Sequence, residues 1–134
     1  MTILLQDDVA GLEVRTLAGW VAAPPRKGAL LCNLGDMLER MTGGRYRSTP
    51  HRVQNPRDRE RLSFPFFFDP TWDADVQPLV RGPAYDDRDQ RWDGSSVFDL
   101  RGTYGDYLMT KVGRVFPSLQ RKVLRARLSR LSRS

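Results

Sequence analysis

Hydrophobic and polar positions alternate in short runs along the first half of the chain, and turn-forming pairs separate the runs. Ile3–Leu5, Leu12–Thr16, Trp20–Ala23 and Ala29–Asn33 are apolar or alternating, with Asp7-Asp8, Ala10-Gly11, Ala18-Gly19 and Pro24-Pro25 between them. Leu12, Val14 and Thr16 alternate with Glu13 and Arg15, the period of a half-buried strand. Closely spaced short strands of this kind predict a sandwich, barrel or jelly roll. The pattern then changes: Asp36–Met41 reads as a short helix that Gly43-Gly44 stops. Strand character returns at Tyr46–Ser48, His51–Val53 and Leu62–Phe68. In the last of these, Leu62, Phe64, Phe66 and Phe68 share one face, while Arg61, Ser63, Pro65 and Phe67 share the other. Pro65 cannot donate to a sheet ladder, so the strand is expected at an edge or with its pairing interrupted.

From Asp69 to Arg101 the chain is polar and punctuated by prolines, and it reads as a long surface connection. Thr103–Phe116 predicts a helix with Tyr104, Leu108, Val112 and Val115 as its apolar stripe, ended by Pro117. Ser118–Ser134 is a second helical candidate, with Leu124, Leu128 and Leu131 on one side. The expected organisation is a β body over residues 1–70, a surface connection over 71–102, and C-terminal helices with a basic tail over 103–134.

Composition narrows the class. At 134 residues and 40% hydrophobic content the chain suggests one globular domain or a piece of one. The single cysteine, Cys32, excludes an internal disulfide framework; it sits in an apolar run that reads as core, and suits a reducing cytoplasm. Met1 to Val9 lacks the basic start of a secretory signal, and no apolar run approaches membrane-spanning length. A soluble, cytoplasmic protein is expected. The net charge of +6 would ordinarily point to nucleic acid, but residues 121–134 hold six basic groups and no acid. Without them the body carries 16 basic and 16 acidic residues, so specific nucleic-acid binding is not expected.

The chemistry concentrates between Asn33 and Pro70. His51 is the only histidine, and ten residues later stand Arg61 and Ser63, two apart. On an extended strand that spacing presents a guanidinium and a hydroxyl together, a pair suited to a carboxylate. A neutral imidazole nearby is a common metal ligand. The stretch reads as one wall of a metal site that also binds an organic acid. Taken singly, these residues have plainer roles: His51 beside Pro50 as a structural histidine, Arg61 as a solvated member of the charged run from Arg57, and Phe66 to Phe68 as core. Phe67 and Tyr46 are candidates for lining the pocket, and Asn33 and Asp36 for capping the short helix.

Three ordered motifs then carry a resemblance. Cys-Asn-Leu-Gly-Asp-Met-Leu (32–38), Gly-Arg-Tyr-Arg-Ser-Thr-Pro-His-Arg-Val (44–53) and Arg-Leu-Ser-Phe-Pro-Phe-Phe-Phe-Asp-Pro (61–70) resemble the isopenicillin N synthase-like family. These are non-haem iron(II), 2-oxoglutarate-dependent dioxygenases. The flanks agree, from Leu4-Leu5-Gln6-Asp7 with Gly11-Leu12-Glu13-Val14 to Thr103-Tyr104-Gly105-Asp106-Tyr107 with Phe116-Pro117. The resemblance implies mainly β structure with C-terminal helices: part of a double-stranded β-helix, a jelly roll, with its early strands missing. Residues 1–70 would be the C-terminal part of that domain. It implies Fe(II) as cofactor and 2-oxoglutarate as co-substrate. His51 matches the distal iron ligand, and Arg61 and Ser63 match the pair that binds the remote carboxylate of 2-oxoglutarate.

One departure stands beside the match. The family's other two iron ligands, a His-x-Asp motif, come shortly before the segment that begins here at Thr2, and Asp7 and Asp8 match the turn after it. The chain is therefore expected to bind iron weakly and to be inactive alone, as a truncated gene, the product of a late start codon, or a fragment of a longer enzyme. The first expectation is a piece of an oxidoreductase that couples 2-oxoglutarate decarboxylation and O2 to oxidation of a small molecule, an ethylene-forming type being one label within the family. The alternative is a non-catalytic remnant acting as a binding or assembly module, self-associating through unpaired strand edges.

Overall fold

In the computed structural model, residues 1–56, 58–80, 91 and 94–118 are described. Six strands appear in order: β1 (Thr2–Gln6), β2 (Leu12–Thr16), β3 (Gly19–Ala22), β4 (Leu31–Asn33), β5 (His51–Val53) and β6 (Ser63–Phe67). Helix α1 (Asp36–Met41) lies between β4 and β5, and α2 (Tyr104–Val115) follows a 3-10 turn at Val97–Asp99. The strands make two antiparallel three-stranded sheets, β4-β1-β6 and β3-β2-β5. Apart from the paired β2 and β3, successive strands pass between sheets, the crossing expected of part of a jelly roll. The described residues within Met1–Asp69 and Gln77–Asp99 form one compact unit, and those within Pro70–Val76 and 100–118 a second.

The β1–β6 register decides which side chains meet. Gln6 lies opposite Ser63, Leu4 opposite Pro65 and Thr2 opposite Phe67, so these share one face. Ile3, Leu5, Cys32, Phe64 and Phe66 share the other. Pro65 is tolerated because, among the described residues, β6 pairs with β1 alone and is an edge strand. Cys32, expected in the core, is exposed instead, because its place opposite Ile3 turns it to that outer face.

Beyond Gln6 the ladder is finished by a side chain. The Asp7 backbone N–H donates to the Leu62 carbonyl at 3.1 Å, while Asp7 Oδ2 accepts from the Leu62 N–H at 2.5 Å. Asp7 Oδ1 accepts from the Val9 N–H at 2.9 Å. The Leu62 bond foremost, then the Val9 bond and the charges of Arg61 and Arg59, hold the Asp7 carboxyl below its ordinary value despite some desolvation.

In the second sheet Leu12, Val14 and His51 fall on one face, and Glu13, Arg15, Trp20 and Arg52 on the other. Arg52 Nε reaches Glu13 Oε2 at 2.7 Å, and its guanidinium lies 4.2 Å from the Trp20 ring centroid. This outer brace ties all three strands together.

Tyr46–Ser48, expected as a strand, is an irregular segment. Its donors are taken by side chains: Tyr46 N–H by Thr42 Oγ1 at 3.3 Å and Ser48 N–H by Glu39 Oε2 at 2.9 Å. The expected caps of α1 are also absent, since Gly35 is the N-cap without a side-chain bond. Asp36 instead pairs with Arg91 Nη2 at 2.8 Å. The 71–102 connection contributes interior as well as surface, with Val76 and Val97 both buried.

In the second unit Thr103 caps α2 reciprocally with Asp106, close to the expected start. Tyr104 N–H donates to Ala74 O and Gly105 N–H to Trp72 O, each at 2.8 Å. The Trp72 indole occupies the space where a β-carbon at residue 105 would stand. The second helical candidate, Ser118–Ser134, lies outside the described residues beyond Ser118. Among the described residues no helix is long and apolar enough to cross a membrane.

Two consequences follow. Gly105→Ala forces Trp72 to move and lowers the unfolding free energy by about 1–3 kcal/mol, read as a drop in the thermal midpoint. Asp7 has a lowered folded-state pKa, so its contribution is complete above the ordinary value of 3.8 and is lost as pH falls through the lowered one. Asp7→Asn keeps one acceptor of two; its stability deficit against the parent chain, measured by urea unfolding across the acid range, shrinks as pH falls.

Candidate functional site

The centre of the site is Arg61. It stands two residues before Ser63, and the Asp7–Leu62 lock carries the alternation of β6 back to it. Arg61 Nη2 donates to Gln6 Oε1 at 2.8 Å, and Nη1 reaches Ser63 Oγ at 3.4 Å. The side chain is half-buried, and its Nε is shielded from solvent with no hydrogen-bond partner. Among the described residues no carboxylate oxygen lies within 4.0 Å of the guanidinium. A guanidinium has five N–H donors, and here only neutral oxygens meet two of its nitrogens.

Space for the arginine stem comes from Gly11. A β-carbon there would sit 3.4 Å from Arg61 Cδ and 2.6 Å from the Gln54 carbonyl oxygen. Its φ of +153° is a conformation that favours glycine. The Gly11 carbonyl accepts from the Gln54 N–H at 2.8 Å, fixing the turn against the end of β5.

His51 opposes Val14 on the face that also carries Leu12, and it is exposed. Its Nδ1 lies 3.2 Å from the Thr49 carbonyl oxygen and 3.4 Å from Asn33 Nδ2. The carbonyl can only accept, so engaging it places the ring proton on Nδ1 and leaves the Nε2 lone pair for a metal. Asn33 belongs to β4, so its contact with His51 bridges the two sheets and shows which faces oppose each other. With the ring proton on Nδ1, an Asn33 amide turned to offer its oxygen is the matching orientation.

The approach to His51 is anchored from beneath. Glu39 is 1% exposed and accepts both the Ser48 N–H and Arg91 Nη1, the latter at 3.2 Å. Arg40, also buried, donates to the Val97 carbonyl at 2.7 Å. Helix α1 thus holds the loop that delivers His51. Of the other sequence candidates, Phe67 lies on the Ser63 face and is exposed, and Tyr46 is exposed on the loop after α1. The structure brings Arg61 and Ser63 together; it places Tyr46 in no recorded side-chain contact with them.

Among the described residues there is no group of three or more His, Cys, Asp or Glu side chains that could hold a metal. The donor set around His51 therefore does not by itself fit an iron ion. The Arg61 side has a different chemistry: a shielded Nε without a hydrogen-bond partner, on a guanidinium with no carboxylate oxygen within 4.0 Å among the described residues, suits a carboxylate. Sequence reasoning missed Gln6, Asp7 and Glu39. Gln6 becomes visible only once β1 is paired with β6, a contact between residues more than fifty positions apart.

Known proteins share this sequence and this fold. Residues 1–70 match the family described as the 2OG-Fe(II) oxygenase superfamily. The chain is 50% identical over 128 residues to a protein of Dictyostelium discoideum named "Probable iron/ascorbate oxidoreductase", covering 92% of this chain and 35% of that one. It is 44% identical over 126 residues to a 1-aminocyclopropane-1-carboxylate oxidase of the same organism, covering 87% and 33%. Among solved structures, a full-length Neurospora crassa protein in complex with alpha-KG (2-oxoglutarate) aligns with a TM-score of 0.63 and 26% identity, covering 84% of this chain and 34% of that one. The chain spans about a third of the length of these relatives. Isopenicillin N synthase-like is the broader class within which these proteins fall. A family match over more than half of its residues, with the jelly-roll relatives beside it, makes the chain a member of the 2OG-Fe(II) oxygenase superfamily, whose members use iron(II) and 2-oxoglutarate.

Proposed function

We propose that this chain carries the co-substrate clamp and one iron ligand of a 2-oxoglutarate-dependent oxygenase. The observation that supports this most is the half-buried Arg61, flanked by Ser63 and Gln6, with a shielded Nε and no carboxylate oxygen within 4.0 Å among the described residues. Arg61 and Ser63 would take the remote carboxylate of 2-oxoglutarate, with a bidentate ion pair that lysine could not reproduce. His51 would offer Nε2 to iron in the tautomer whose Nδ1 donates to the Thr49 carbonyl, 3.2 Å away. Phe67, on the Ser63 face, would cover the aliphatic part of the acid.

Iron(II), when bound, supplies the oxygen chemistry that couples decarboxylation of 2-oxoglutarate to succinate with oxidation of a small molecule. His51 is the sole imidazole in the 134 residues, so two further ligands are needed, and these residues alone are inactive. The relatives named as oxidoreductases and as 1-aminocyclopropane-1-carboxylate oxidase favour a small organic substrate, with ethylene-forming chemistry one form of it. The exposed thiol of Cys32 is compatible with a reducing, cytoplasmic setting.

A second reading has its own observation. Leu5, Phe64 and Phe66 form an exposed apolar row on the outer face of β1 and β6, next to the free edge of β6. Such a surface favours an assembly module that pairs with itself.

Titration of the purified chain with 2-oxoglutarate, followed by NMR, separates the readings. The clamp predicts saturable shifts at Arg61 and Ser63, and Arg61→Ala weakens binding by at least about tenfold. No saturable shift, or equal binding by Arg61→Ala, overturns it. The same chain should release no O2-dependent succinate with iron(II); release would contradict the incomplete ligand set.

A further inference from the structure

Among the described residues, Gln6 is the one side chain that meets the Arg61 guanidinium at short hydrogen-bond distance, 2.8 Å, and it reaches across from the neighbouring strand. A guanidinium only donates, so the amide must present its oxygen, as it does. That contact anchors the guanidinium plane from the Nη2 end, while the longer Ser63 contact lies at Nη1. Gln6 is half-buried and pairs in register with Ser63, so the three side chains form one row on one sheet face.

The chemical type of residue 6 matters as much as its reach. A carboxylate in this place would also hold the guanidinium, but it would neutralise it and compete with any incoming acid. An aliphatic residue would leave the charge intact and let the fork rotate. A neutral acceptor alone orients the cation while leaving its charge to the ligand. The acid next to Gln6, Asp7, is committed to the backbone N–H groups of Leu62 and Val9. Asp7 feels the Arg61 charge, but its oxygens are held on those backbone N–H groups and neither lies within 4.0 Å of the guanidinium.

We infer that Gln6 is the positioning residue of the oxoacid clamp: it orients Arg61 without discharging it, and so selects for an anionic carboxylate at this site. The inference rests on the reading of Arg61 as that clamp. It is tested on the full chain with 2-oxoglutarate itself as the probe, comparing Gln6→Glu, Gln6→Met and Arg61→Ala with the parent by NMR titration and thermal melting. Gln6→Glu should bind worst, weaker by about a hundredfold or to no measurable saturation, while melting no lower than the parent because the new ion pair is internal. Gln6→Met, similar in size but without the acceptor, should bind about tenfold more weakly. A merely structural role predicts the opposite order, with binding falling in step with the melting temperature. If Arg61→Ala loses binding while Gln6→Glu binds like the parent, the role of Gln6 is overturned and the clamp stands. If Arg61→Ala binds like the parent, or the parent does not bind, the clamp itself fails and the inference with it. Should Gln6→Glu fail to fold, the Gln6→Met comparison decides: parent-like affinity overturns the positioning role.

Discussion

A half-buried guanidinium that meets only neutral oxygens is the constraint around which the rest of this chain is arranged. Arg61 is stable in that position because Gln6 and Ser63 occupy two of its nitrogens and its stem runs past a glycine. Removing an arginine from water without an anion is unfavourable, and full ion-pair compensation would leave nothing for a ligand. The site lies between these limits: oriented by hydrogen bonds, yet still positively charged. That state is the physical content of a binding site for a carboxylate.

The pairing of β1 with β6 makes the arrangement possible. It places Gln6 opposite Ser63, and Asp7 extends the ladder to Leu62 so that Arg61 keeps the alternation of the strand. A shift of one residue would turn Arg61 and Ser63 to the outer face beside Phe64 and Phe66. The second sheet sets His51 in the same disciplined way. Arg52, its sequence neighbour, is tied to Glu13 and stacked on Trp20 on the opposite face, so His51 must face β4 and Asn33. Below it, the buried Glu39 holds both Ser48 and Arg91, fixing the loop that leads into β5.

Much of this was legible in the sequence. The alternation around Leu12 and Val14 and the Arg-x-Ser spacing on a strand interrupted by Pro65 located β2 and β6, and Thr103 located the start of α2. The Asp36–Met41 helix matched because its glycine stop is local. What was not legible depends on distant partners. Tyr46–Ser48 looked like a strand, but the upstream Glu39 supplied the bond to Ser48 that a neighbouring strand would have made. Cys32 looked like core because its run is apolar, yet its register opposite Ile3 exposes it. Gln6 stood only within a flanking motif, and its contact with Arg61 became visible once its strand found β6. The exposed row of Leu5, Phe64 and Phe66 has the same origin, since a strand pattern shows that a face is apolar but not what lies against it.

The most direct test is a crystal structure of this chain soaked with 2-oxoglutarate. The remote carboxylate is predicted to sit against the Arg61 guanidinium and within hydrogen-bond distance of Ser63, with Gln6 still accepting from Nη2. A carboxylate bound elsewhere, with Arg61 untouched, would contradict the clamp.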